Sequence, residues 1–251
     1  MRPVSEQTVL ITGSTSGHGR ALAERLAEEG ATVLLHGRSD ELGNQALAEI
    51  AEATGNESLR FYRADFSSLD EVRDLAAMVQ EDQERLDCLV NNAGVGAADS
   101  GGAGRMISRD GNELRLQVNY LAPYLLTRLL LPLLRDSAPA RIVNVSSAGQ
   151  ASIDFDDPML EHRYDGLQAY CQSKLAQVMD TIELASELDS DEVTVNCLHP
   201  ATYMDTKMVR LAGVNPASTV EEGAEATIRL ITDPSFDGTS GLYFDHQHES
   251  V

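Results

Sequence analysis

Residues 8–30, TVLITGSTSGHGRALAERLAEEG, decide how the chain is read. Thr8 to Ile11 is a short apolar run that leads directly into TGSTSGHG, residues 12–19, with glycines at 13, 17 and 19. Arg20 to Glu29 then has helical period: Leu22 and Leu26 share one face, Glu24, Arg25, Glu28 and Glu29 lie largely on others, and Gly30 follows as a C-terminal cap. Strand, glycine turn and helix in that order make a phosphate cradle. Glycine lets the backbone turn tightly and approach a ligand, while a helix start offers unpaired N–H groups and partial positive charge to a pyrophosphate. The spacing is not GxGxxG, and no Gly-Lys-Ser/Thr follows, which argues against a nucleoside-triphosphate loop.

Outward from this unit the same beat repeats. Ala31 to Leu35, Leu59 to Ala64, Asp87 to Val90, Arg141 to Val145 and Val193 to Leu198 read as strands, with a last one over Gly241 to Asp245. Helical stretches separate them at Glu41 to Ala53, Leu69 to Glu84, and about 113–135 and 168–188. Continuous apolar strands between helices predict an α/β fold, a single-domain Rossmann-type doubly wound parallel sheet with helices on both faces, over residues 1–251. Two stretches depart from the beat, Gly96 to Gly104 and the acidic Ser152 to Asp165, and both are read as loops near a site.

Composition bounds the function classes. The 251 residues carry 40 acidic and 19 basic side chains, a net charge of −21, which argues against nucleic acid as a partner. Only Lys174 and Lys207 are lysines, so the position of either is informative; codon bias or a salt-adapted host would account for the scarcity. Cys88, Cys171 and Cys197 show no CxxC or paired spacing and are expected as reduced, buried thiols. The opening MRPVSEQTVLITG has no signal-peptide pattern, and the greasiest stretch, Tyr120 to Leu134, is broken by Pro123, Arg128 and Pro132, so no membrane span and a cytoplasmic location are expected.

The cradle matches TGxxxGxG, and with Asn91 to Gly94 (NNAG), Asn119, RIVNVSS ending at Ser147, and Tyr170 and Lys174 in YxxxK, the chain resembles the short-chain dehydrogenase/reductase family over essentially its whole length. RIVNVSS, AYCQSKLA and LHPAT are most similar to its retinol-dehydrogenase-like branch. His18, where the family usually has Ile or Leu, and Ala201, in place of the glycine of a Pro-Gly pair, depart from the pattern. The resemblance implies a cofactor contacted by Gly13, Ser14, Thr15, Ser16, Gly17, His18 and Gly19, by Asp65 and Phe66 at the adenine, by Asn92, Ala93 and Gly94 at the ribose, and by Tyr170, Lys174 and Pro200. It also implies a catalytic set of Asn119, Ser147, Tyr170 and Lys174, a substrate lid over about 201–218, and a homodimer or homotetramer formed through the helices near 113–135 and 168–188.

Gly37 stands at the end of the second strand, where NAD-selective proteins place a carboxylate, and Arg38 and Ser39 follow. A guanidinium can grip a 2′-phosphate through a fork of hydrogen bonds, so NADP(H) is favoured and NAD(H) stays open. Tyrosine and lysine four apart on a helix share a face with Cβ atoms ~5–6 Å apart. A cation ~4 Å from the phenol at an effective dielectric of ~20 contributes up to about 4 kcal/mol, ~3 pKa units, which would bring Tyr170 towards neutrality.

These residues predict hydride transfer between a nicotinamide and a carbonyl or alcohol carbon of a small or lipophilic substrate. Tyr170 would serve as proton donor, Lys174 would hold the nicotinamide ribose, Ser147 would hydrogen-bond the substrate oxygen, and Asn119 would anchor a proton-relaying water. Ser146 is the rival to Ser147. The alternative is a non-catalytic dinucleotide-binding sensor or interaction protein. No metal is expected: the cluster Asp154, Asp156, Asp157, Glu161 and His162 lacks a ligand spacing, and His246 and His248 read as surface residues.

Overall fold

The structure, a computed structural model, describes residues 1–98 and 104–250; most of the glycine-rich stretch from 96 to 104 therefore lies outside the described residues. The first half of the chain is β1 (Thr8–Ile11), α1 (Gly17–Glu28), β2 (Thr32–Gly37), α2 (Asp40–Thr54), β3 (Leu59–Arg63), α3 (Leu69–Asp82) and β4 (Cys88–Asn91). A short helical turn, α4 (Leu114–Leu116), passes through a π-turn at Gln117–Leu121 into α5 (Ala122–Asp136), and β5 (Ala140–Val145), α6 (Gly166–Glu187) and β6 (Val193–His199) follow. The chain closes with α7 (Lys207–Leu211), α8 (Val220–Thr232), β7 (Tyr243–Asp245) and β8 (His248–Ser250).

All eight strands form one sheet in the order β3-β2-β1-β4-β5-β6-β7-β8, parallel throughout except for the antiparallel β7–β8 pair. The order reverses between β1 and β4, and at such a switch point two neighbouring loops diverge and leave a crevice at the carboxyl ends of the strands. Strand residues alternate between two cores. Val9, Ile11, Val33, Leu35, Val90, Val143 and Leu198 pack with α1, α2 and α8, whereas Leu10, Leu34, Leu89, Ile142 and Val195 pack with α3, α5 and α6. This is the doubly wound architecture that the sequence predicts.

The differences are local. α1 begins at Gly17 rather than Arg20, because the glycine turn is itself the helix's first turn. α8 falls in a stretch without an assignment, yet it carries a capping box: Thr219 accepts from the Glu222 N–H while the Glu222 carboxylate accepts from the Thr219 N–H. β8 is also additional, a short antiparallel partner that covers the edge of β7.

Candidate active site

The cradle is built by backbone and held by side chains. Gly13 has φ +66°, and a Cβ there would sit 2.9 Å from the Ala93 Cα, so only glycine lets the β1 loop lie against the β4 loop. Gly19 is equally closed: a Cβ would press on Asn92 Nδ2 and on the Gly13 carbonyl. Thr12 Oγ1 accepts from the N–H groups of Asn92 (2.9 Å) and Ala93 (3.0 Å), and Asn92 Nδ2 donates to the carbonyls of Thr12 and Gly13. Those donations fix the Asn92 amide, leaving Oδ1 to accept from His18 Nδ1 at 2.9 Å; His18 Nε2 then meets Thr227 Oγ1 on α8 at 3.1 Å.

Three side chains expected at the cofactor are thereby bonded within the protein itself. The His18 imidazole is buried, and burial holds its pKa below the ordinary value, so it is a neutral strut between α1, the β4 loop and α8 rather than a phosphate ligand. Asn92 is spent on the same fastening. The Ser14 hydroxyl accepts from the His36 N–H at 3.0 Å and is fully buried. What remains for an anion is the first turn of α1, Gly17 to Gly19, whose N–H groups have no intrahelical acceptor, with Thr15 and Ser16 at the opening.

At the far end of the cradle Arg38 is exposed, with no hydrogen bond or ion pair among the described residues. Ser39 is the N-cap of α2, accepting from the Leu42 N–H. Asp65 accepts from the Ser67 N–H at 2.9 Å and pairs with Arg109. The Phe66 ring is buried and stacked on the His36 imidazole at 4.5 Å.

α6 and the end of β5 carry the groups that the sequence marks as candidates for the reaction. The Ser147 hydroxyl and the Tyr170 ring flank Gly149, 3.3 and 3.7 Å from a Cβ built there, and Ser147 Oγ accepts from the Gly149 N–H at 3.0 Å. Ser146 points the other way, its hydroxyl donating to the Lys174 carbonyl at 3.0 Å, which separates the two candidate serines. Gln150 Nε2 donates to the Ser147 carbonyl at 3.0 Å, and burial pushes the nearby Tyr243 phenol up to about 12.

Lys174 is 5% exposed. Its ammonium donates to the Val145 carbonyl at 2.9 Å and to Gln177 Oε1 at 2.8 Å, and it lies 6.0 Å from the centre of the Tyr170 ring. Burial pulls its pKa down to about 7. Burial also pushes Tyr170 above its ordinary value, opposed only in part by the neighbouring Ser147 hydroxyl. This reverses the expected direction. An ammonium taken out of water goes to the strongest acceptors within reach, a carbonyl and an amide oxygen, and a cation held there does not offset the desolvation of the phenol.

Asn119 is fully buried and hydrogen-bonded through both ends of its amide. Its Oδ1 accepts from the Val95 N–H at 2.8 Å, and its Nδ2 donates to the Val95 carbonyl and to Ser173 Oγ. The side chain therefore positions the β4 loop against α6, with both amide hydrogens committed and one lone pair of Oδ1 left over.

Sequence reasoning missed a second layer. Glu113 and Arg115 are buried together; Arg115 donates to the carbonyls of Gly96 (3.0 Å) and Ala97 (2.7 Å) and to the Tyr164 hydroxyl, and Tyr164 donates to Glu113 Oε1 at 2.9 Å. One buried ion pair thus ties the loop after β4 to the loop before α6. Gln177 and this pair had no signal beyond their polarity. The segment after β6 lies across the mouth of the crevice. Pro200 is buried at its start, the Thr206 methyl comes within 3.5 Å of a Cβ built on Gly17, and the Met208 side chain packs on Gly96.

The family model described as short chain dehydrogenase matches residues 7–215. Retinol dehydrogenase 13 of mouse is 36% identical over 98% of this chain and 77% of its own length. Retinol dehydrogenase 14 of human is 36% identical over 95% of this chain and 77% of its own. Among solved structures, a short chain dehydrogenase from Escherichia coli complexed with NADPH superposes with TM-score 0.77 and 28% identity, covering 96% of this chain and 97% of that one. The Pseudomonas aeruginosa RhlG/NADP complex gives TM-score 0.77 and 28% identity over 98% and 97%.

Proposed function

Because the chain belongs to the short chain dehydrogenase family, we propose that it is an NADP(H)-dependent oxidoreductase that moves a hydride between the nicotinamide and a carbonyl or alcohol carbon of a small or lipophilic substrate. The carrying observation is that Ser147 and Tyr170 flank Gly149 at the carboxyl edge of the sheet, with Lys174 one helical turn away and a glycine cradle across the crevice.

The residues fit a dinucleotide. A Cβ at Gly13 or Gly19 would close the cradle, the first turn of α1 presents free N–H groups to a pyrophosphate, and Arg38 is exposed where a 2′-phosphate would be gripped. Two structural neighbours were crystallised with NADP or NADPH, which supports the same choice here. When bound, the nicotinamide supplies or takes up the hydride. This chain's own residues manage the oxygen. In reduction the Tyr170 hydroxyl gives its proton to the carbonyl oxygen, while the Ser147 hydroxyl donates a hydrogen bond to the same oxygen as negative charge develops. A phenol held above its ordinary pKa is fully protonated at neutral pH, the form this step needs. Lys174, with a pKa of about 7, supplies a cation behind it that can exchange its proton at working pH.

The names of the curated relatives favour a lipophilic alcohol or aldehyde as substrate. Exposed Tyr124 on α5 and Met179 and Ile182 on α6 support a homodimer or homotetramer through those helices. Among the described residues no helix is long and apolar enough to cross a membrane, and a cytoplasmic location is part of the proposal. The test follows the absorbance of NADPH with a panel of ketones and aldehydes, including retinal. Turnover is expected in the wild type and a loss of at least ~10³-fold in Tyr170→Phe, with NADPH binding kept. Binding without turnover across the panel would favour a sensor and overturn the proposal.

A further inference from the structure

We propose that His199, Asp245 and His246 form a site for one zinc-class divalent cation at the carboxyl edge of the sheet. One donor atom from each of the three lies within 4.8 Å of the others, the only such convergence of His, Cys, Asp and Glu side chains among the described residues.

The fold brings them together in two steps. β6 and β7 run parallel with His199 opposite Asp245, so those side chains leave the sheet on the same face. His246 then starts the turn into β8 with φ +56°, and its N–H donates to the His199 carbonyl at 2.8 Å, which sets the two imidazoles 5.2 Å apart. His199 is 8% exposed and fixed, with Thr202 Oγ1 at 3.2 Å from Nε2. An oxygen in that position is how a ligating imidazole is usually oriented.

Metal–ligand bonds of about 2.0–2.1 Å in a tetrahedral site set the donor atoms about 3.4 Å apart, so the present group must contract by roughly 1.4 Å. Asp245 and His246 can make that movement, since their side chains are 54% and 45% exposed and already approach to 3.9 Å. Two imidazoles and one carboxylate are borderline donors, which select zinc, nickel or copper over magnesium or calcium. Three protein ligands leave a fourth position for solvent or a ligand atom. The site lies two residues beyond Tyr243 along β7, on the sheet face that packs against α6. It therefore borders the substrate side of the crevice, but its chemistry is independent of hydride transfer and its test reads no activity.

The untagged full chain is titrated with Zn²⁺ by calorimetry and with Co²⁺ by visible absorption. The expected result is one ion per chain, with affinity lowered at least tenfold in Asp245→Asn and in His246→Gly, the latter keeping the left-handed turn so that misfolding does not imitate ligand loss. His162→Ala, at an exposed histidine beside carboxylates and outside the converging group, leaves binding unchanged. No uptake by the wild type, or uptake that both ligand variants leave intact, overturns the proposal.

Discussion

Replacing Lys174 by Met removes a buried charge while keeping a long unbranched side chain, and it changes how stability depends on pH. A lysine in the unfolded chain titrates near 10.5, whereas burial in the fold brings Lys174 to about 7. The folded value is the lower one, so between pH 7 and 10.5 the folded state binds fewer protons than the unfolded state, and the free energy of unfolding rises with pH across that window. The charging penalty is about 4 kcal/mol at pH 7 and about 2 kcal/mol at pH 9, a gain of about 2 kcal/mol between them. Lys174→Met has no such gain. Burial pushes the Cys88 and Cys197 thiols up to about 12, which costs stability at the alkaline end, but both chains carry them and the difference cancels. Urea unfolding of the cofactor-free proteins, followed by far-ultraviolet dichroism at several pH values, should show the wild-type stability minus that of the variant rising by about 2 kcal/mol from pH 7 to pH 9. Parallel curves would refute the reasoning, and would mean that the Val145 carbonyl and Gln177 hold the ammonium charged despite its burial.

Gln177→Leu removes one of those two acceptors; a hydrogen bond to a charged group contributes about 1.5–3 kcal/mol, so the limb of the kcat/KM pH profile that requires the ammonium should move one to two pH units lower. Arg38→Ser should lower kcat/KM for NADPH ten- to a hundredfold and leave NADH unchanged, measured by initial rates with one carbonyl substrate. Arg115→Met strands the Glu113 carboxylate in the interior and should cost about 3–5 kcal/mol in urea unfolding, most of which the double variant with Glu113→Gln recovers.

The sheet and its winding were legible because burial on both faces forces the strands to read as unbroken apolar runs, and Thr8–Ile11 followed by three glycines fixes where the first crossover starts. That Tyr170 and Lys174 share a helix face was legible from their spacing, and alternation alone said that Ser146 and Ser147 point apart, as the Ser146 bond to the Lys174 carbonyl shows. α8 was legible too, since Thr219 and Glu222 spell its start before an apolar run, although that stretch carried no assignment. The rest depends on residues distant in sequence. Nothing near Arg115 announces that its guanidinium will meet the carbonyls of Gly96 and Ala97 and the hydroxyl of Tyr164. The direction of the Tyr170 shift was equally hidden, because spacing places two side chains on one face but does not say which acceptors a desolvated ammonium will take.

The same distinction reassigns the sequence motifs. Thr12, Ser14, His18, Asn92 and Asn119 all sit in signatures that suggest ligand contact, yet their side-chain polar atoms are committed to one another, to Thr227 and Ser173, and to the backbones of β2 and the β4 loop. A buried donor or acceptor left unpaired costs about 1–3 kcal/mol, so none of these groups can turn to a ligand without a loss of that size. Under the proposed function, recognition at the cradle would fall to backbone N–H groups, which carry no side-chain signature, and proton chemistry to the neighbouring hydroxyls of Ser147 and Tyr170. Substitutions in the first set should therefore loosen the crevice, lowering stability and cofactor affinity together, whereas substitutions in the second should stop turnover in a chain that folds and binds as before.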